Sequence, residues 1–173
     1  MLDHVKSFLK KELSKSEIIN YIFDLEEHHW IRENQYVFAH FKDFFDRIPH
    51  RVLNKVFIED HTIMVRSTGR FACSVSSSYQ SVIIIFPEVY GLLTKTYDGW
   101  AKAVLAHELG HVYLDHSENM DDPMEAQVDA DNFACEMGYL EELETFLHDQ
   151  PDSVEKRVRL TFVSSYYFAN NDM

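Results

Sequence analysis

Residues 101–116, with the sequence AKAVLAHELGHVYLDH, constrain the fold more than any other stretch of the chain. Apolar residues recur through this stretch at helical spacing, which predicts an α-helix over roughly residues 99–116. His107 and His111 are four residues apart, so both imidazoles lie on one face of that helix, one turn from each other. Two histidines in this arrangement can bind one metal ion, which requires open space in front of them.

Glu108 directly follows the first of these histidines, and its carboxylate can reach a water molecule on the metal. Zinc is the ion that the pattern indicates, because zinc accepts neutral imidazole nitrogen and makes a bound water more acidic. Glu108 would then be the general base when the water attacks a carbonyl carbon. The motif therefore predicts one zinc ion per chain and hydrolysis by a metal-activated water. Within the motif, Gly110 leaves room for a neighbouring segment to approach closely.

A catalytic zinc needs a third protein ligand, and the next helix is the best source for it. Pro123 opens this predicted helix after the N-cap Asp122, and Gly138 fits its C-terminal end. Glu125 and Asp129 are four residues apart and share one face of the helix.

The segments AHELGHVYLDH and EAQVDADNFACEMGY resemble the gluzincin-type zinc metallopeptidases, and among them the ImmA/IrrE-like and M48-like groups. Those groups carry HExxH on one helix and a glutamate on a second helix, in a pattern similar to E-x-E-A-[ND]-x-F-A. The resemblance covers roughly residues 100–140. It places the two acidic positions of the pattern at Gln127 and Asp129, and it implies that Asp131 supports a ligating histidine. In that register the resemblance implies Asp129 as the third zinc ligand. In a second register, Glu125 is the ligand and Asp129 the supporting carboxylate, and both alternatives are open.

The resemblance implies a zincin-like fold and a zinc-dependent endopeptidase that acts on a protein or peptide substrate. Gln127 departs from the family pattern, because a neutral amide oxygen binds zinc weakly. The alternative function is therefore a catalytically inactive zincin-fold protein that acts as a binding or regulatory module. In related enzymes the donor to the oxyanion is often a Tyr or His outside the two ligand helices, and the candidates here are Tyr139, His148, Arg157, Tyr166 and Tyr167.

The chain divides into three blocks that together predict one α+β domain over residues 1–173. Residues 1–50 have the periodicity of helices, residues 51–97 contain short β-rich runs, and residues 98–173 return to helix. The β-rich runs, VLNKVFIED, HTIMVRS, FACSVSSSY and SVIIIF, predict a small, mostly antiparallel sheet of three or four strands. Within it, SVIIIF is the expected central strand and FACSVSSSY the expected edge strand.

Histidines outside the motif have simpler interpretations in the sequence. His28 and His29 are adjacent, so on a helix their side chains point about 100° apart and cannot easily share an ion. We interpret both as residues of a helix surface. His116 is one position short of the third histidine of HExxHxxGxxH, and we interpret it as a surface residue near the helix end.

Composition and charge restrict the classes of function further. The formal net charge is −13, which argues against direct nucleic-acid binding and against a polybasic membrane contact. Two cysteines are too few for a disulfide framework, and no N-terminal run has the length of a signal peptide. We therefore expect a cytoplasmic protein without a membrane partner; its oligomeric state is not predicted.

Overall fold

The fold was analysed in a computed structural model that describes residues 13–68, 72–76, 80–116 and 122–171. The α-helices are α1 (Lys15–Asp24), α2 (Gln35–Arg47), α3 (His50–Leu53), α4 (Pro87–Leu93), α5 (Ala101–Tyr113), α6 (Pro123–Glu136), α7 (Leu140–Asp149) and α8 (Val154–Asn171). A 3-10 helix spans Glu26–Ile31, and a π-helix spans Asn54–Glu59. The helix expected within residues 1–12 lies outside the described residues. No helix in the described part of the chain is both long and apolar enough to cross a membrane.

Three strands, β1 (Ile63–Arg66), β2 (Ala72–Ser76) and β3 (Ser81–Ile85), form one sheet in the described residues, in the order β1-β3-β2. β3 is antiparallel to β2 and parallel to β1. The prediction of an α+β fold is confirmed, as are the central position of β3 and the edge position of β2. The expectation of a mostly antiparallel sheet is wrong, because the strands alternate in direction along the chain but β3 lies between the other two.

The segment VLNKVFIED, expected to be a strand, is helical. It contains the end of α3 and the π-helix, and its buried residues are Val52, Leu53, Val56 and Phe57. These positions repeat four residues apart in two adjacent rows, which is the spacing of one helix face. The β-branched residues suggested a strand, but the burial of this face against the core determined the structure.

The helix ends follow local rules of proline placement and side-chain capping. α2 ends at Arg47, because the residue before Pro49 disfavours the helical conformation. The side chain of Asp122 caps α6, whose Pro123 is the first helical residue. Ser14 caps α1 and forms a capping box with Glu17.

An aromatic cluster of the N-terminal helices includes His28, which is fully buried on the 3-10 helix. Its Nδ1 is 2.6 Å from the carbonyl oxygen of Ile22, and the backbone N–H of Met64 donates to its Nε2 at 2.7 Å. His28 therefore links α1 to β1, and burial lowers its pKa. Our interpretation of His28 as a surface residue was wrong, because its partner Met64 lies 36 positions later; His29 is exposed, as expected.

Candidate metal centre

α5 carries the HExxH motif through the interior of the protein, where His107 is 6% exposed and Glu108 is 8% exposed. The helix packs against α6, β2 and α7. A Cβ atom added at Gly110 would lie 3.1 Å from the Cβ of Phe133 on α6, closer than ordinary van der Waals contact. Gly110 therefore permits the close approach of the two helices, as the sequence predicted.

The two histidines of the motif point toward one another. Their Nε2 atoms are 3.1 Å apart, and the two ring planes are inclined by 87°. Burial, together with the neighbouring His107 and His116, lowers the pKa of His111 to about 3, so this imidazole is neutral near pH 7. The helix thus brings the Nε2 atoms of the buried His107 and the half-buried His111 to one place.

A charged network holds the other nitrogen of His107. Its Nδ1 is 2.8 Å from Oδ1 of Asp131, which has no solvent exposure. Arg159, from α8, donates to both oxygens of Asp131 at 2.7 Å. Burial raises the pKa of the Asp131 carboxyl, but the hydrogen bonds from His107 and Arg159 outweigh it and hold that pKa below its usual value. Asp131 is therefore ionised and accepts a hydrogen bond from Nδ1–H of His107, and Nε2 is the His107 nitrogen that faces His111.

The other nitrogen of His111 also has a partner. Its Nδ1 lies 2.9 Å from Nδ1 of His116, just beyond the end of α5. The His116 side chain is only 7% exposed and lines the same cavity. The interpretation of His116 as a surface residue was therefore wrong, because the chain reverses after α5 and carries this ring back under the helix.

These side chains surround a cavity of about 390 Å³. Its polar lining includes His107, Glu108, His111, His116, Gln127 and Arg159, and β2 adds Cys73 and Ser74. Burial raises the pKa of Glu108 above its ordinary value, and the nearby His107 and hydrogen bonds from Ser74 offset only part of that rise. The cavity thus combines the two imidazoles of the motif with a carboxylate that is a stronger base than one in water.

The two carboxylates expected to compete as third ligand do not line this cavity. Glu125 is exposed, and the Asp129 side chain is 52% exposed, with its Oδ2 3.9 Å from Nε2 of His116. Gln127 is the α6 residue in the cavity lining. Across the described ranges, no group of three or more His, Cys, Asp or Glu side chains is placed to hold a metal ion.

The five residues considered as oxyanion donors are also absent from the cavity lining described here. Tyr139 is buried in the core, whereas His148 and Arg157 have exposed side chains and ion pairs of their own. Arg159, which the sequence analysis missed, does line the cavity. The buried Val163 lies one turn after Arg159, so the helical period contained a signal that this arginine faces inward.

Comparison of the chain with protein-family models, with curated proteins and with solved structures found no match.

Proposed function

We propose that the chain is a zinc-dependent metallopeptidase in which His107 and His111 hold the metal and Glu108 is the general base. The observation that carries the proposal is the 3.1 Å approach of the two Nε2 atoms while both Nδ1 atoms are engaged elsewhere. Metal-ligating histidines are usually held in this way through their second nitrogen. Imidazole nitrogen is a donor that zinc binds well.

When bound, zinc would polarise the substrate carbonyl and lower the pKa of a water molecule. The residues of this chain supply the proton transfers. Glu108 accepts a proton from the attacking water, and its raised pKa makes it a better base for that step than an exposed glutamate. Ser74 fixes the orientation of the Glu108 carboxylate through hydrogen bonds from its side chain and its backbone.

The third ligand belongs to the proposal as well. Among the side chains of α6, Gln127 lines the cavity and is four residues before Asp131, so the two share a helix face. We propose that the amide oxygen of Gln127 takes this position, in preference to Asp129 or Glu125. Because the amide is neutral, we expect weaker zinc binding than a glutamate would give at position 127.

The proposed substrate is an extended segment of a protein or peptide. β2 carries Cys73 and Ser74 into the cavity lining, and in the described residues β2 pairs only with β3. An extended peptide can add to the free edge of such a strand through backbone hydrogen bonds. Peptide bound in this way would pass in front of Glu108.

The second candidate function is a catalytically inactive zincin-fold protein that acts as a binding or regulatory module. The observation that favours it is the neutral Gln127 at the position where a carboxylate would complete the site. In that case the cavity would bind a partner without hydrolysing it, with zinc absent or weakly held.

The metal itself is tested by elemental analysis of the purified wild type and of His107→Ala, Gln127→Ala, Asp129→Ala and Glu125→Ala. The proposal expects about one zinc per wild-type chain, loss of zinc in His107→Ala and weaker binding in Gln127→Ala. Asp129→Ala and Glu125→Ala should retain zinc. A wild type without zinc after incubation with the ion would contradict the proposal and favour the binding module.

The chemistry is tested with a peptide library and two further variants. Glu108→Gln should keep zinc and lose about 10²- to 10⁴-fold in hydrolysis rate, the usual contribution of a general base. Gln127→Glu should bind zinc more tightly than the wild type. If only Gln127→Glu hydrolyses peptides, the wild type is the inactive form.

A further inference from the structure

We propose that His116 is a positioning residue of the metal site, which holds His111 with its Nε2 directed toward the metal. The inference rests on the proposed zinc site and adds a residue to it. The geometry that carries it is the 2.9 Å contact between the Nδ1 atoms of His111 and His116, with the His116 side chain 7% exposed. His116 does for His111 what Asp131 does for His107.

The turn after α5 is built to bring His116 into this position. Asp115 has a φ of 56°, in the left-handed region that residues other than glycine seldom adopt. The backbone N–H of His116 then donates to the carbonyl oxygen of His111 at 3.0 Å, which closes the turn. The imidazole of His116 is thereby folded back beneath the histidine that it contacts.

A lysine from another element fixes this turn. Lys55, on the π-helix, donates to Oδ1 of Asp115 at 2.9 Å and to Oδ2 of Asp60 at 3.1 Å. Burial lowers the pKa of Lys55, but its bonds to Asp115 and Asp60 outweigh that effect, so the ammonium stays charged. An unfavourable backbone conformation of this kind persists where surrounding contacts hold it, and such positions cluster at functional sites.

Asp129 favours, only weakly because its side chain is 52% exposed, the tautomer of His116 in which Nδ1 is the acceptor facing His111. Its Oδ2 is 3.9 Å from Nε2 of His116, too far for a hydrogen bond but near enough to attract a proton on that nitrogen. With the proton on Nε2, Nδ1 of His116 accepts a hydrogen bond from Nδ1–H of His111. The lone pair of His111 is then on Nε2, which faces His107.

The test is the zinc dissociation constant, measured by competition with a chromophoric chelator, for wild type, His116→Ala, His116→Asn and His116→Gln. Loss of a residue that supports a metal ligand weakens metal affinity about 10- to 100-fold, and we expect this for His116→Ala. Asparagine places a hydrogen-bonding atom near the position of Nδ1, so His116→Asn should recover most of the affinity. Glutamine places that atom near Nε2 and should not.

His148→Ala is the matched control, since His148 has a side chain that is 64% exposed and lies outside the cavity lining. Far-UV circular dichroism verifies that each variant is folded, and if His116→Ala does not fold, the ratio of the Asn and Gln affinities decides. A wild type that binds zinc with all three His116 variants unchanged overturns this inference alone. Folded Ala and Asn variants that bind no zinc overturn it too, since His116 would then be a ligand. A wild type that binds no zinc overturns the proposed function, and this inference with it.

Discussion

His28 in the N-terminal region and His107 on α5 are both buried histidines, but their surroundings differ in kind. Both ring nitrogens of His28 are bonded to the backbone, through Ile22 and Met64. His107 has only its Nδ1 bonded to a fixed partner, Asp131, and its Nε2 faces a second imidazole. The first arrangement gives both nitrogens of the ring a backbone partner. The second leaves the Nε2 atoms of His107 and His111 facing each other at 3.1 Å in the cavity lining.

The difference separates a structural histidine from a candidate metal ligand. A buried polar group costs free energy unless it has a partner, and the backbone supplies both partners of His28. The pair His107 and His111 gains a common partner only when a cation or a shared proton lies between the two Nε2 atoms. What distinguishes the candidate site is therefore the direction of Nε2 in His107 and His111, more than the burial or the pKa of the rings.

The packing of the two regions differs as well. The N-terminal region is filled by large aromatic rings, among them Trp30, Phe41, Phe45 and Phe57, with edge-to-face contacts. α5 and α6 instead bury small residues, which are Ala103, Ala106, Gly110, Ala130 and Ala134. Small residues allow the two helix backbones to approach, so that Asp131 reaches His107.

Replacement of His28 by alanine is expected to have the largest effect on stability. The carbonyl of Ile22 and the N–H of Met64 would lose their partner, at a cost of about 1–3 kcal/mol for each buried group. Urea unfolding measures the loss, and zinc content should equal that of the wild type. His29→Ala is the control, since His29 is exposed and its replacement should change stability by no more than about 0.5 kcal/mol. Similar losses of stability in the two variants would mean that His28 does not have the structural role described here.

Zinc itself should stabilise the other region. If the ion binds only the folded state, free zinc at 100 times its dissociation constant adds about 2.7 kcal/mol to the free energy of unfolding. Thermal unfolding with and without zinc should show this in wild type and in His28→Ala, but not in His111→Ala. Equal stabilisation of His111→Ala would mean that zinc binds elsewhere, and the comparison of the two regions would fail.

Gly110→Ala tests the close packing at the site. The added Cβ would lie 3.1 Å from Cβ of Phe133, and overpacking of this kind costs about 1–3 kcal/mol. Gly91→Ala is the matched control on α4, because a Cβ there meets nothing within 4 Å and alanine favours helix by about 0.5–1 kcal/mol. The free energy of unfolding, measured with denaturant, should therefore fall for Gly110→Ala and rise for Gly91→Ala. If Gly110→Ala leaves the free energy of unfolding unchanged, α6 can move away from α5 without cost.

The sequence predicted those features that depend on neighbours along the chain. The pairing of His107 with His111, the cap at Asp122 and the end of α2 before Pro49 follow from spacing within one or two turns. The segment at residues 52–60 misled the prediction, since its β-branched residues also fit a helix face whose burial depends on tertiary packing.

The missed features depend on distant or uncommon contacts. His28 is buried by Met64, 36 positions later, and Arg159 meets Asp131 from a helix that begins after it. His116 enters the cavity through a left-handed Asp115, a conformation that aspartate adopts more often than most residues but that its neighbours in the sequence do not predict. The helical spacing of Arg159 and Val163 indicated that Arg159 faces inward. No neighbouring residue in the sequence indicated that His116 lines the cavity.

The smallest predicted effect is the pH dependence of the His28 contribution. Burial lowers the pKa of His28 in the folded protein below the ordinary histidine value of 6.5, so the unfolded chain binds the proton more readily. The stability that His28 adds is fully present above about pH 6.5 and declines as the pH falls below it. The free-energy difference between wild type and His28→Ala, measured by urea unfolding from pH 7.5 to 5.5, should therefore shrink toward acid. Because other histidines titrate alike in both proteins, the difference isolates residue 28; a difference that grew toward acid would mean that the buried ring is protonated.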